Sequence, residues 1–178
     1  MSVREELIRQ IPNLRAFAVS LCGNAERADD LVQEALMKAW ANIDMFEAGT
    51  NMRAWLFTIL RNVYYSDFRK KRREVEDADG KFAAGLASHP EQLGHLDMVD
   101  FRNALSQLAA DQREALVLVG ASGFSYDEAA EICGCAVGTV KSRVNRARAK
   151  LAEILSIQAG GEYGPDHFSR AVVDSRRS

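Results

Sequence analysis

Between Asp30 and Ile43, apolar side chains recur at Val32, Ala35, Leu36, Ala39, Trp40 and Ile43. This is the i, i+3, i+4, i+7 spacing of a helix that buries one stripe. Trp40 is read with that core, and Asp30, Glu34 and Lys38 fall on the opposite face. A second periodic run, Met52 to Arg73, turns Leu56, Ile59, Leu60 and Val63 inward and collects Arg61, Tyr65, Arg69 and Arg72 on an outer face. The segment Asp44 to Asn51 separates the two helices, with Gly49 as a break and Asn51 as a candidate N-cap. Further on, Leu105, Leu108, Leu116 and Leu118 mark two helices around Ala109-Ala110-Asp111. Ser125-Tyr126-Asp127-Glu128 has the form of a capping box, which requires a helix to start there. That helix runs into Cys133-Gly134-Cys135, and a longer one opens near Val137, so a helix-turn-helix is expected. Its last helix carries a single stripe of Val140, Val144, Ala147, Leu151, Ile154 and Leu155.

Composition agrees with helices and argues against sheet: the 178 residues include only 3 prolines and 12 glycines, and short Val/Ile/Thr alternations are few. The expected fold is all-α, two small helical domains joined by a flexible linker. Charge draws the boundaries. The total nearly cancels, 23 basic against 25 acidic, so any nucleic-acid function must rest on local patches. Residues 1–73 end in the basic run Phe68 to Arg73, and residues 139–150 hold Lys141, Arg143, Arg146, Arg148 and Lys150 without an acid. Between them, residues 74–99 carry Glu74, Glu76, Asp77, Asp79, Glu91 and Asp97 against Lys81 alone, interrupted by Gly80, Gly85, Pro90 and Gly94. This is read as an acidic linker. The second domain is placed at 100–157, and 158–178 is expected to be a disordered tail with room for a short helix around Phe168 to Val173.

Catalytic and metal chemistry find little support. His89, His95 and His167 fall in the linker and tail, with no carboxylate and cysteine constellation around them. Cys22, Cys133 and Cys135 are an odd set for a disulfide framework and lack a second cluster to complete a zinc site. Cys22 reads as buried, and Cys133 and Cys135 stand too close for an unstrained bridge, which disfavours redox sensing. No catalytic residue, metal ligand or cofactor is expected. Arg4, Glu5 and Glu6 stand where a signal peptide needs an apolar run, and no stretch is apolar enough to span a membrane. A cytoplasmic protein without membrane insertion is the expectation.

The basic helices invite nucleic acid. Opposite the stripe of the last helix stand Ser142, Asn145, Arg146 and Ala149, with Lys141 and Arg148 on one flank and Arg143 and Lys150 on the other. Arginine and asparagine suit guanine and adenine edges, while flanking cations neutralise phosphates. In the other basic helix, Tyr64, Tyr65 and Phe68 are interleaved with Arg61, Asn62 and Arg69, a pattern that can stack unpaired bases. Tyr64 or Phe68 can equally complete the core. The face of Asp30, Gln33, Glu34 and Lys38 is ordinary solvated surface unless a partner covers it.

Three of these segments resemble sigma factors of the extracytoplasmic-function class, in the family's order. Ala28 to Trp40 is similar to the polymerase-binding helix. Trp55-Leu56 through Asn62 and Asp67 to Arg69 resembles the promoter-melting helix, and Val137-Gly138-Thr139-Val140-Lys141-Ser142-Arg143 resembles the recognition helix. The resemblance spans most of residues 10–156. It implies a sigma region 2 bundle at 1–73 and a sigma region 4 helix-turn-helix domain at 100–157. Leu21-Cys22-Gly23-Asn24 and Gly123 to Ala130 further resemble the general-stress-response branch of alphaproteobacteria. The Cys133-Gly134-Cys135 turn departs from the proline often found near that point, and the tail after Ala159 lies outside the shared pattern.

The resemblance also implies roles. Asp30, Gln33, Glu34 and Lys38 would bind the beta-prime clamp helices of core RNA polymerase, and region 4 would meet the beta flap. The loop from Asp44 to Asn51 would capture a base flipped from the minus 10 element, with Asn51, Arg61, Asn62, Tyr65 and Arg69 near the opened strand. Thr139, Lys141, Ser142, Arg143, Asn145 and Arg146 would read the minus 35 element of promoter DNA. An anti-sigma factor is the implied regulator. The competing reading is a sigma-like decoy that sequesters an anti-sigma factor; such a decoy has no need of the five cations on the last helix and usually carries an attached receiver domain, for which this length leaves no room.

Overall fold

The computed structural model describes residues 2–77 and 96–158, and among these every regular element is helical. The element order is α1 (Val3–Cys22), α2 (Ala25–Ala41), a 3-10 turn (Ile43–Met45), α3 (Met52–Asp77), α4 (Leu96–Ser106), α5 (Ala110–Leu116), a π-helical turn (Val117–Ala121), α6 (Tyr126–Cys133) and α7 (Val137–Gln158). The tail and His89, His95 and His167 lie outside the described residues. So does the expected linker, apart from its ends. There the helices reach further than expected: α3 continues past Arg73 to Asp77, and α4 already begins at Leu96.

Local chemistry sets most of the starts. Ser2 and Glu5 form a capping box at α1, which Gly23 ends in the left-handed conformation. Asn24 caps α2. Asn51 caps α3 as expected, its Oδ1 accepting the Ala54 amide at 3.1 Å. The Ser125-Glu128 box is formed in both directions, with Glu128 N donating to Ser125 Oγ at 3.1 Å and Ser125 N donating to Glu128 Oε2 at 2.8 Å. Gly134, at φ +65°, provides the left-handed residue that turns α6 into α7.

Helices α1, α2 and α3 pack together around Leu14, Phe17, Leu56, Phe57 and Leu60, with Phe17 stacked on Phe57 at 4.8 Å between ring centroids. Val140, Val144 and Ala147 of α7 are fully buried against the smaller helices, as the stripe predicts. One core residue is corrected. Trp40 is 57% exposed, while Ala39, expected in the same stripe, is fully buried. Trp40 stands at the edge of the stripe and lines the groove between α1 and α2. Ile59 and Cys22 are only half-buried, whereas Tyr64 does join the core and Phe68 does not.

The two domains are not independent in this conformation. Val117, Leu118, Phe124, Ala129, Ile132 and Val144 belong to the same apolar cluster as Phe17, Leu56 and Phe57. Helix α3 lies against α6, and α1 against α5.

Candidate nucleic-acid and polymerase interfaces

Asp30, Gln33, Glu34 and Lys38 are exposed on α2, as their phase opposite the core predicts. Lys38 closes an i, i+4 ion pair with Glu34 at 2.8 Å. Beside them a groove of about 650 Å³ runs between α1 and α2, floored by Leu7, Ile11, Val32 and Leu36 and bordered by Gln33, Met37 and Trp40. Arg15 and Asp29 bridge it at 2.6 Å. An open apolar groove with exposed Met and Trp on its rim is suited to an amphipathic helix. Sequence reasoning missed this apolar half of the face because it assigned Trp40 to the core.

The outer face of α3 is divided. Asn62 and Arg69 are exposed and line a second hollow of about 710 Å³ with Lys38, Met45, Trp55 and Ser66. Met45, 80% exposed on its 3-10 turn, belongs to the loop expected to capture a base, and Trp55, tilted against Phe46 at 5.2 Å, opens the segment that resembles the promoter-melting helix; neither was singled out as a site residue. Met45 sits in the connection between α2 and α3, whereas Trp55 lies in the first turns of α3 and packs, half-buried, against the core.

Arg61 and Tyr65, expected on that same outer face, instead point at the other domain. Arg61 bonds Glu114, and the Tyr65 hydroxyl donates to the other Glu114 oxygen at 3.0 Å. Glu114 is 0% exposed, the one buried charged residue among those described. Arg61 also lies 4.6 Å from the Tyr65 ring centroid. Burial, then the Glu114 charge and hydrogen bond, raise the Tyr65 phenol well above its ordinary range. Asn51, besides capping α3, donates from Nδ2 to Glu128 at 2.9 Å. Arg53 bonds the Ser122 carbonyl and lies over the Phe124 ring at 4.4 Å, while Phe57 meets Phe124 edge-on at 4.9 Å. Glu114, Arg53 and Phe124 were not foreseen. Only Glu114's helical phase with Leu118, one turn later, hinted at burial.

On α7 the expected row is largely in place. Lys141, Asn145, Arg146 and Arg148 are exposed opposite the buried stripe. Thr139 is half-buried, its carbonyl accepting from Ser142 Oγ at 3.0 Å, and Lys141 lies 5.7 Å from the Tyr126 ring centroid. Arg143 departs from the expectation of a free flank: it pairs with Asp111 at 3.2 Å and approaches Cys135 Sγ at 3.7 Å. Lys150 pairs with Glu153 at 3.2 Å. Cys133 is buried, and burial, reinforced by the Glu114 charge, pushes its thiol up to about 12, an unreactive setting.

An N-terminal bundle with an apolar partner groove and a helix-turn-helix with a basic outer face stand here in the order of sigma regions, and residues 7–74 and 98–151 match the families described as Sigma-70 region 2 and Sigma-70, region 4. Over 172 residues the chain is 62% identical to the ECF RNA polymerase sigma factor EcfG of Rhodopseudomonas palustris, covering 97% of this chain and 95% of that one. The chain belongs to the extracytoplasmic-function sigma factors. It is therefore a transcription-initiation factor. Among solved structures it is similar to the sigma factor RpoE of Bartonella quintana, crystallised with the anti-sigma factor NepR, at 59% identity and a TM-score of 0.79 over 86% of this chain and 96% of that one. It is also similar to CnrH in complex with the cytosolic domain of CnrY, at 30% identity and a TM-score of 0.64 over 86% of each chain. None of the helices described is long and apolar enough to cross a membrane.

Proposed function

We propose that this sigma factor serves a general stress response, joining core RNA polymerase in the cytoplasm and directing it to promoters with paired minus 35 and minus 10 elements. The observation that carries this reading is the exposed row Lys141, Asn145, Arg146 and Arg148, set opposite the buried stripe of a helix-turn-helix second helix. In this reading the face of Asp30, Gln33, Glu34 and Lys38, with the groove beside it, receives the beta-prime clamp helices. Region 4, within 100–157, meets the beta flap.

Thr139, Lys141, Ser142, Asn145 and Arg146 read the minus 35 major groove, while Arg143 acts mainly by holding α7 to α5 through Asp111. The minus 10 strand runs along α3. Asn62 and Arg69 meet it beside the Met45 and Trp55 hollow, and Asn51, Arg61 and Tyr65 join when region 4 moves away. The chain makes and breaks no bond itself; it supplies sequence recognition and strand capture. An anti-sigma factor related to NepR is its regulator, on the strength of the likeness to the Bartonella quintana complex.

Run-off transcription with core polymerase over a promoter panel tests the reading. Specific transcripts are expected with this protein added, and they should weaken markedly for the double variant Gln33→Ala, Glu34→Ala. Absence of any transcript, combined with tight binding to a NepR-type protein, would establish the decoy instead.

A further inference from the structure

Methionine is unevenly placed in this chain. Met52 is 1% exposed inside the region 2 core, whereas Met37 is 67% exposed on α2 and Met45 80% exposed on the 3-10 turn. Met37 borders the apolar groove between α1 and α2, and Met45 lines the hollow beside α3. The two tryptophans are divided in the same way: Trp40 lies on the groove with Met37, and Trp55 in the hollow with Met45. Each of the region 2 surfaces assigned to polymerase and to the minus 10 strand therefore presents one open thioether and one indole.

A solvent-exposed thioether is open to a two-electron oxidant, and the product is a polar, chiral sulfoxide that no longer suits an apolar surface. With hydrogen peroxide as that oxidant, the O–O bond breaks and an S–O bond forms. The sulfur lone pair takes one oxygen, and the other leaves as water after proton transfer; sulfur is oxidised and peroxide reduced. Burial shields Met52 from this reaction. The recognition helix α7 has nothing to oxidise, since Val137–Gln158 contains no methionine, cysteine or tryptophan.

We propose that Met37 and Met45 are oxidation sites, and that their conversion to sulfoxide disables the polymerase groove and the strand hollow while the α7 face goes on reading duplex DNA. The proposal rests on the assignment of those surfaces to polymerase and strand. Its consequence is a half-competent protein: the oxidised chain holds a minus 35 duplex through region 4 but neither recruits polymerase well nor holds the opened strand. A methionine sulfoxide reductase restores both.

The test treats the full chain with hydrogen peroxide, removes the oxidant, and adds dithiothreitol to reverse cysteine oxidation before polymerase or DNA is present. Peptide mass spectrometry locates the added oxygen, which is expected on Met37 and Met45 and not on Met52. Affinity for core polymerase should fall about five-fold, affinity for a minus 35 duplex should hold, and the reductase should reverse the loss. Each variant is compared with itself before and after peroxide. Met37→Leu should abolish the oxidative loss of polymerase binding, whereas Met98→Leu, which removes an exposed methionine on α4, should not. Holoenzyme formed from oxidised Met37→Leu protein should still open the minus 10 region poorly by permanganate reactivity, and adding Met45→Leu should remove that defect. Polymerase binding and strand opening that survive complete oxidation of Met37 and Met45 overturn the proposal, as does oxygen appearing on Met52 as fast as on the exposed pair. An equal loss of duplex binding overturns it by removing the selectivity for region 2. Untreated protein that binds no polymerase removes the underlying assignment, and the proposal with it.

Discussion

Helices α3 and α7 are both long, both basic and both assigned to DNA, yet they stand in opposite states. The recognition face of α7 is open, with Asn145 and Arg146 exposed. The polar face of α3 is partly consumed within the molecule: Arg61 is 21% exposed at the side chain, and its partner Glu114 0%. The difference lies in what each helix packs on. The stripe of α7 is satisfied by its own small domain, which leaves the opposite side free, whereas α3 has an apolar side facing α1 and α2 and a second contact with α6. A basic helix read from its own periodicity is therefore only a candidate surface; whether its charges are available is decided by what lies across from it.

The largest expected effect concerns a residue that belongs to both contacts of α3. Phe57 is fully buried, stacks near Phe17 and meets Phe124 edge-on. Phe57→Ala should lower stability by about 3 to 5 kcal/mol, read by urea denaturation, with region 2 and region 4 signals shifting together. Loss confined to region 2 would break the picture of a shared core.

Next comes the open face of α7. Arg146→Ala should cost about 1 to 3 kcal/mol on the preferred minus 35 duplex and narrow the gap to mismatched duplexes, as expected for a bidentate base contact. Arg148→Ala should weaken all duplexes alike and flatten the salt dependence by about one unit. Fluorescence anisotropy at several salt concentrations checks both. Identical behaviour of the two variants would reduce the face to simple charge.

A smaller effect tests how α6 is started. Ser125→Ala removes the hydroxyl that accepts the Glu128 amide and should cost about 1 kcal/mol, measured by thermal unfolding. It should also loosen Glu128. The Ser125 backbone amide is the main factor that holds this carboxyl below its usual range; desolvation opposes it, and the Ser125 hydroxyl and Asn51 add to it. Backbone exchange at the start of α3 would then quicken through Asn51.

The smallest effect lies within region 2. Asp67 bonds Arg27 at 2.8 Å and Lys71 at 3.3 Å. Desolvation raises its pKa, but the Arg27 and Lys71 hydrogen bonds outweigh it, and the net direction is downward. A depressed carboxylate stabilises the fold above its unfolded pKa and loses that contribution as pH falls through the folded one. Asp67→Asn should accordingly cost about 0.5 kcal/mol at neutral pH and nothing in strong acid. Denaturant midpoints at neutral pH and in strong acid check it, and a cost that does not depend on pH would remove the ion pair as its source.

What the amino-acid sequence determined by itself was local. The caps at Asn51 and at Ser125 with Glu128, the glycine turn at Gly134 and the phase of Val140, Val144 and Ala147 all involve residues within about a turn of one another, and each is found where the pattern placed it. The exposed row of α7 followed directly, because one buried stripe leaves one free face. Tertiary structure decided the remainder. The bonds that take Arg61, Tyr65 and Asn51 out of solvent span separations of 53, 49 and 77 residues, and no periodicity within a helix encodes a partner at that distance. Arg143 was drawn to Asp111 for the same reason, and Trp40, at the edge of its stripe, was left on the rim of a groove because what lies across from a helix, not the spacing along it, decides which edge residues are covered. Buried carboxylates such as Glu114 need donors, and only the folded chain brings those donors within reach.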